Sequence, residues 1–175
     1  MPAAVQRFTL EEFRETYGDD VKPRYEFWDG EAIQKAVPTK LHAKLQKLLA
    51  NVLAELGFYS FTELTLHVSP TWEPIPDVAG TLEDFDQPYP SKAMDVIAEV
   101  LSPQDTFSIV EEKCERYAIS GASDVLVFDP IDRKVWKWDH TLNSLIRVTE
   151  PALRLNSNQS AMDLQKLWLR FDSER

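Results

Sequence analysis

Asp95-Val96-Ile97-Ala98-Glu99-Val100-Leu101-Ser102-Pro103 is the stretch whose reading decides the fold. Val96, Ile97, Ala98, Val100 and Leu101 make an apolar run suited to a central strand covered on both faces. Glu99 interrupts it. An ionised carboxylate in such a strand costs free energy unless a cation or a donor meets it. The bland alternative is a strand-end Glu that points to solvent or pairs with a lysine.

Working outward, Ile75-Pro76-Asp77-Val78-Ala79-Gly80 reads as a short strand entered through proline, with Asp77 at its start. Residues 81–94 lie between the two strands and hold Glu83, Asp84, Asp86, Pro88 and Pro90, a composition that excludes a regular helix or a central strand. After Ser102-Pro103 the spacing predicts a helix with Phe107, Val110, Cys114, Tyr117, Ala118 and Gly121 on one stripe. Lys113 flanks that packed face, so its ammonium can reach back over the strand. Asp124-Val-Leu-Val-Phe-Asp129 is a buried strand, residues 133–139 alternate around Trp136 and Trp138, and residues 145–148 form a further strand.

Upstream, Thr9 and Glu12 form a capping box ahead of Leu10, Phe13 and Tyr17. Asp29-Gly30 between Arg24–Trp28 and Glu31–Gln34 predicts a two-residue hairpin turn. That register places Glu26 opposite Ile33 and on the face of Trp28. Leu41, Leu45, Leu48, Leu49, Val52, Leu53 and Leu56 mark an amphipathic helix between Thr39 and Gly57. His42 falls off that stripe and reads as a surface or capping residue. Residues 58–69 suit a strand, and Ser160 to Asp163 open a last amphipathic helix through Leu164, Leu167, Trp168 and Phe171.

This order gives an α/β (α+β) domain spanning residues 1–175, a mixed central sheet flanked by helices with an N-terminal β-hairpin. The chain has 175 residues, is 43% hydrophobic and 11% aromatic, and so has the length and content for a real core. Nothing approaches the roughly eighteen apolar residues of a membrane span. Met1 to Gln6 lacks the blocks of a secretory signal, so the expected location is cytoplasmic. A single cysteine, Cys114, makes no intramolecular disulfide and no cysteine-based zinc site. With 29 acidic against 19 basic residues the net charge is -10, which excludes a general nucleic-acid binder unless a metal or a local basic patch offsets the repulsion.

Asp77 and Glu99 lie near adjacent strand positions, where their carboxylates can converge on one divalent cation. Oxygen donors of this kind suit Mg²⁺ or Mn²⁺. A flanking lysine beside such a pair fits phosphodiester hydrolysis, in which the ammonium stabilises developing negative charge or orients the water. Taken singly, each residue has a plainer reading: Asp77 as a turn cap, Lys113 as a surface lysine, Glu26 as a cross-strand partner to a base. Trp136 and Trp138 read as core and sheet surface.

Tyr25-Glu26 with Asp29-Gly30-Glu31, His42 opening the long helix, Pro76-Asp77, Glu99-Val100-Leu101-Ser102-Pro103, and Lys113 followed by Tyr117 and Gly121 together resemble the Uma-two endonuclease family. That family lies within the PD-(D/E)XK restriction-endonuclease-like superfamily. The resemblance covers about residues 9–139. It implies a nuclease core, a catalytic Mg²⁺ or Mn²⁺ held by Asp77 and Glu99, a supporting acid at Glu26, Lys113 as the catalytic lysine, and DNA as substrate. Leu101 stands where the superfamily commonly has lysine, and Ile109 where the family commonly has an acid. A second expectation is therefore a nuclease-fold binding or assembly module that does not cut. In either case a homodimer is possible.

Overall fold

The computed structural model describes residues 7–18 and 20–173, so Met1 to Gln6 lies outside the described residues. Helix α1 (Leu10–Thr16) starts in the predicted capping box, with Thr9 Oγ1 accepting from the Glu12 amide and Glu12 reaching back to the Thr9 amide. Strands β1 (Tyr25–Trp28) and β2 (Glu31–Gln34) form the predicted hairpin. Glu26 pairs with Ile33, and Asp29 and Gly30 supply the two positive φ angles, 49° and 94°.

Helix α2 (Lys40–Glu55) is capped by Thr39 and followed by β3 (Tyr59–Thr62), β4 (Trp72–Glu73), β5 (Val78–Thr81) and β6 (Val96–Val100). Helix α3 (Phe107–Ile119) leads into β7 (Asp124–Asp129), β8 (Lys134–Asp139) and β9 (Ser144–Arg147). The chain continues through β10 (Ala152–Arg154), β11 (Ala161–Asp163) and α4 (Leu164–Ser173).

The six-stranded sheet has the order β3-β5-β6-β7-β8-β9, with β6 and β7 parallel and the other neighbours antiparallel. A parallel pair needs a crossover, and α3 provides it. Strand β4 joins the hairpin to make a separate sheet, β2-β1-β4. Alternation along β6 sorts the core into two layers. Val96, Ala98 and Val100 face α2 and α4, against Leu45, Leu49, Leu53, Leu167 and Phe171. Ile97 faces Val110, Cys114 and Tyr117 of α3. Each fully buried Leu contributes about 1.5–3 kcal/mol relative to exposure, so the leucines of α2 are a large part of what holds this layer, together with α4. Cys114 is a free, buried thiol, and burial, then the charge of Glu99, push its pKa up.

Three expected elements differ in the structure. The strand expected over residues 58–69 stops at Thr62, because Glu63 takes a left-handed φ of 51° that breaks the ladder. Ala161 to Asp163 form β11, paired with β10, instead of opening the last helix. Asp163 Oδ1 accepts from the Lys166 amide, so it takes the capping role expected of Ser160. Leu41 is 41% exposed and off the buried stripe of α2, which runs instead through His42, Leu45, Gln46 and Leu49.

Asp124 ties the C-terminal segment to the sheet. It is fully buried, lies 2.7 Å from Lys137 Nζ, and accepts from the amides of Asn156 and Ser157 and from Ser157 Oγ. Replacing a charge-assisted acceptor by a neutral isostere costs about 2 kcal/mol. Asp124→Asn is therefore expected to lower the unfolding midpoint by roughly 4–8 °C for a domain of this size. Calorimetry checks this, and an unchanged midpoint would show that the network adds nothing.

Candidate active site

The antiparallel register between β5 and β6 pairs Val78 with Ala98. Continued by one residue, it sets Asp77 opposite Glu99. Alternation turns Glu99 to the side of Ile97, where its partners come from α3, whereas Asp77, at the entry to β5, meets His42 from the start of α2. Both carboxylates are buried, at 2% and 7% exposure, so each needs compensation from nearby groups.

Glu99 receives it from α3. Lys113 Nζ lies 3.0 Å from Glu99 Oε1, and the Tyr117 hydroxyl donates to the same oxygen at 2.8 Å. Lys113 and Tyr117 are four residues apart on one helix, so one face delivers both. The Lys113 ammonium also lies 2.8 Å from Glu26 Oε1. The same oxygen accepts from the Ile75 amide at 2.7 Å, and Trp28 Nε1 donates to the other at 3.2 Å. Lys113 thus joins the hairpin sheet to the central sheet.

Asp77 is held from four directions. Lys35 Nζ lies 2.6 Å from Oδ1, and His42 Nε2 lies 3.3 Å from the same oxygen. The Val100 amide donates to Oδ2 at 2.8 Å, and Gln46 Nε2 donates to the Asp77 carbonyl at 2.9 Å. Ser102 Oγ lies 3.0 Å from His42 Nδ1. Glu26, Lys35, His42, Asp77, Glu99, Ser102 and Lys113 line a cavity of about 580 Å³ whose wall also includes Trp28, Ile33, Val37 and Ile109.

The sequence-predicted residues Asp77, Glu99, Lys113 and Glu26 therefore meet in one place. His42 is a correction: it is not a surface residue but 6% exposed, with both ring nitrogens in polar contact. The error came from starting the α2 stripe at Leu41. Spacings of three and four from His42 reach Leu45 and Gln46, and that pattern marks the buried face. Lys35, Gln46, Ser102 and Tyr117 were not singled out for the site. Lys35 carried a usable signal, because strand alternation puts it two residues beyond Ile33 and on the face of Glu26.

Three carboxylates and two ammonium groups meet here, an excess of one negative charge. Burial and Lys35 act oppositely on Asp77, and Lys35 with the hydrogen bond from His42 wins, holding the carboxyl well below the usual range. Burial pushes Glu99 up to about 7 against the pull of Lys113, and the charge of Asp77 adds to the rise. Burial opposes the charge on Lys113, but Glu26, Glu99 and Asp77 outweigh it and raise its pKa.

A carboxyl raised in the folded state gives up its proton later than in the unfolded chain. With a chelator present, stability is therefore expected to fall as pH rises from about 4.5 to about 7, and Glu99→Gln should flatten that fall. Thermal melts across this range test it, and identical pH profiles for the two proteins would contradict it.

The donor chemistry fits a hard divalent cation. Carboxylate oxygens of Asp77 and Glu99 are available types, and the excess negative charge favours a cation. Among the described residues no three His, Cys, Asp or Glu side chains cluster to hold a metal. Two carboxylates, with the rest supplied by backbone, water or a phosphate, suit Mg²⁺ better than an all-protein cage does.

Residues 10–171 match the family model Uma2, described as "Putative restriction endonuclease". A crystal structure described as a "putative nuclease belonging to DUF820 from Anabaena variabilis ATCC 29413" matches with a TM-score of 0.81 at 19% identity, covering 94% of this chain and 99% of that chain. That likeness shows a shared fold. A chain of the cryo-EM "DrdV-DNA complex" matches at a TM-score of 0.39 and 15% identity, over 73% of this chain and 11% of that one, too distant to carry an argument. No curated protein matches. Among the described residues no helix is long and apolar enough to cross a membrane.

Proposed function

The chain belongs to the Uma2 family of restriction endonuclease type, and from that premise we propose that it hydrolyses DNA phosphodiester bonds with Mg²⁺ or Mn²⁺ held by Asp77 and Glu99. The observation that carries this reading is the meeting of Asp77, Glu99, Glu26 and Lys113 in one buried, cavity-lining cluster. When bound, the cation supplies neutralisation of the phosphate charge and activation of the attacking water.

The chain's own residues do the rest. Lys113 presents a fixed positive charge to the negative charge that develops on the phosphate. Glu26 positions Lys113 from one side and Glu99 from the other, so the ammonium needs no reorganisation during reaction. Tyr117 orients Glu99, and the Val100 amide orients Asp77. The cluster itself keeps one excess negative charge, so a bound dication would be what offsets the acidic surface at the point of contact. Cutting both strands of a duplex needs two such sites, so the reading includes a homodimer, in the cytoplasm where DNA is accessible.

A binding module that does not cut is the second reading. It is favoured by the exposed apolar residues Ile33, Val37 and Ile109 around the cavity, a surface that suits protein contact better than phosphate contact. Cleavage of plasmid DNA with Mg²⁺, with Mn²⁺ and with chelator separates the two. Metal-dependent nicking that disappears in Asp77→Asn protein supports hydrolysis, and equal traces for both proteins favour the module.

A further inference from the structure

Lys35 is a second buried lysine in the cluster, and neither the two-carboxylate site nor the transition-state role of Lys113 requires it. It follows β2, where its amide continues the hairpin ladder by donating to the Arg24 carbonyl. Its side chain turns inward and is only 12% exposed. The ammonium has two partners, Asp77 Oδ1 at 2.6 Å and the Ile75 carbonyl at 3.0 Å. With His42 Nε2 at 3.3 Å, Oδ1 has no lone pair left, and Oδ2 already accepts from the Val100 amide.

We infer that Lys35 is a tethered cation that competes with the divalent ion for Asp77 and so sets the metal affinity of the site. The inference rests on the proposed metal reading of Asp77 and Glu99. A dication placed on Asp77 with Lys35 in position meets an ammonium at contact distance in a buried setting, where like charges repel strongly. Binding at Oδ1 therefore requires the Lys35 head to swing away. Lysine suits this, since its charge sits on a flexible four-carbon stem, and the cavity bounded by Val37 and Ile109 gives the head somewhere to go. The displaced ammonium stays within that cavity and is free to take a phosphate oxygen.

Mn²⁺ binding to the full-length protein, measured by calorimetry and by the spin-resonance signal of free Mn²⁺, tests the competition without any cleavage assay. Lys35→Met and Lys35→Gln are expected to bind Mn²⁺ at least tenfold more tightly than wild type, and Lys35→Arg to remain as weak as wild type. Two neutral variants guard against misfolding of either one, and circular dichroism verifies the fold of each. If folded neutral variants bind Mn²⁺ no more tightly than wild type, while wild-type binding still depends on Asp77, the competition is wrong and the metal site stands. If no protein shows Asp77-dependent Mn²⁺ binding, both the competition and the metal reading fail.

Discussion

Asp77→Asn protein is expected to fold and to lose DNA cleavage by roughly 10³-fold, the size of several kcal/mol of lost charge stabilisation in the transition state. The side chain keeps its shape, so its carbonyl oxygen can still accept from the Val100 amide or from Lys35. What disappears is the charge. A neutral amide is a poor ligand for Mg²⁺, and it leaves Lys35 without a counter-ion. The measurement is the first-order nicking rate of supercoiled plasmid at saturating Mn²⁺, with the thermal midpoint recorded beside it. A rate within threefold of wild type would remove Asp77 from the reaction, and with it the proposed chemistry.

Lys113→Ala is expected to cost about 3–5 kcal/mol of stability, the penalty for stripping one partner from a buried ionic network. Two carboxylates, Glu26 Oε1 at 2.8 Å and Glu99 Oε1 at 3.0 Å, lose their cation together. Tyr117 and the Ile75 amide remain as donors, but neither carries charge. Chemical denaturation of Lys113→Ala, Glu99→Gln and the double variant separates the pair from the rest. The double variant should recover part of the loss, because it removes one of the two stranded charges. Strict additivity would mean that Lys113 and Glu99 do not interact.

Much of this was legible in the residues, and the reasons differ by element. The Asp29-Gly30 turn fixed the hairpin register because its φ angles allow few alternatives, and the pairing of Glu26 with Ile33 followed. Pro76-Asp77 and the strand around Glu99 fixed the opposing carboxylates, since alternation on adjacent strands leaves little freedom. His42 was misread because a stripe defined by leucines alone overlooks polar residues on the buried face. Lys35 differs: alternation beyond Ile33 puts it on the face of Glu26, but its partner is far along the chain, and that alternation does not name Asp77 as the contact. The break at Glu63 and the pairing of β10 with β11 are likewise set by tertiary context.

The three-stranded sheet brings Glu26 and Lys35, whereas Asp77, Glu99 and Lys113 belong to the central sheet and its crossover helix. During folding these groups meet only through contacts between distant parts of the chain, the slow kind to form. A central sheet formed before the hairpin docks would hold Asp77 without Lys35 and Lys113 without Glu26. The hairpin carries one ammonium and one carboxylate, so its docking leaves the net charge of the cluster unchanged while giving Asp77 and Lys113 their opposite-charge partners, and the site exists only once the two sheets are together.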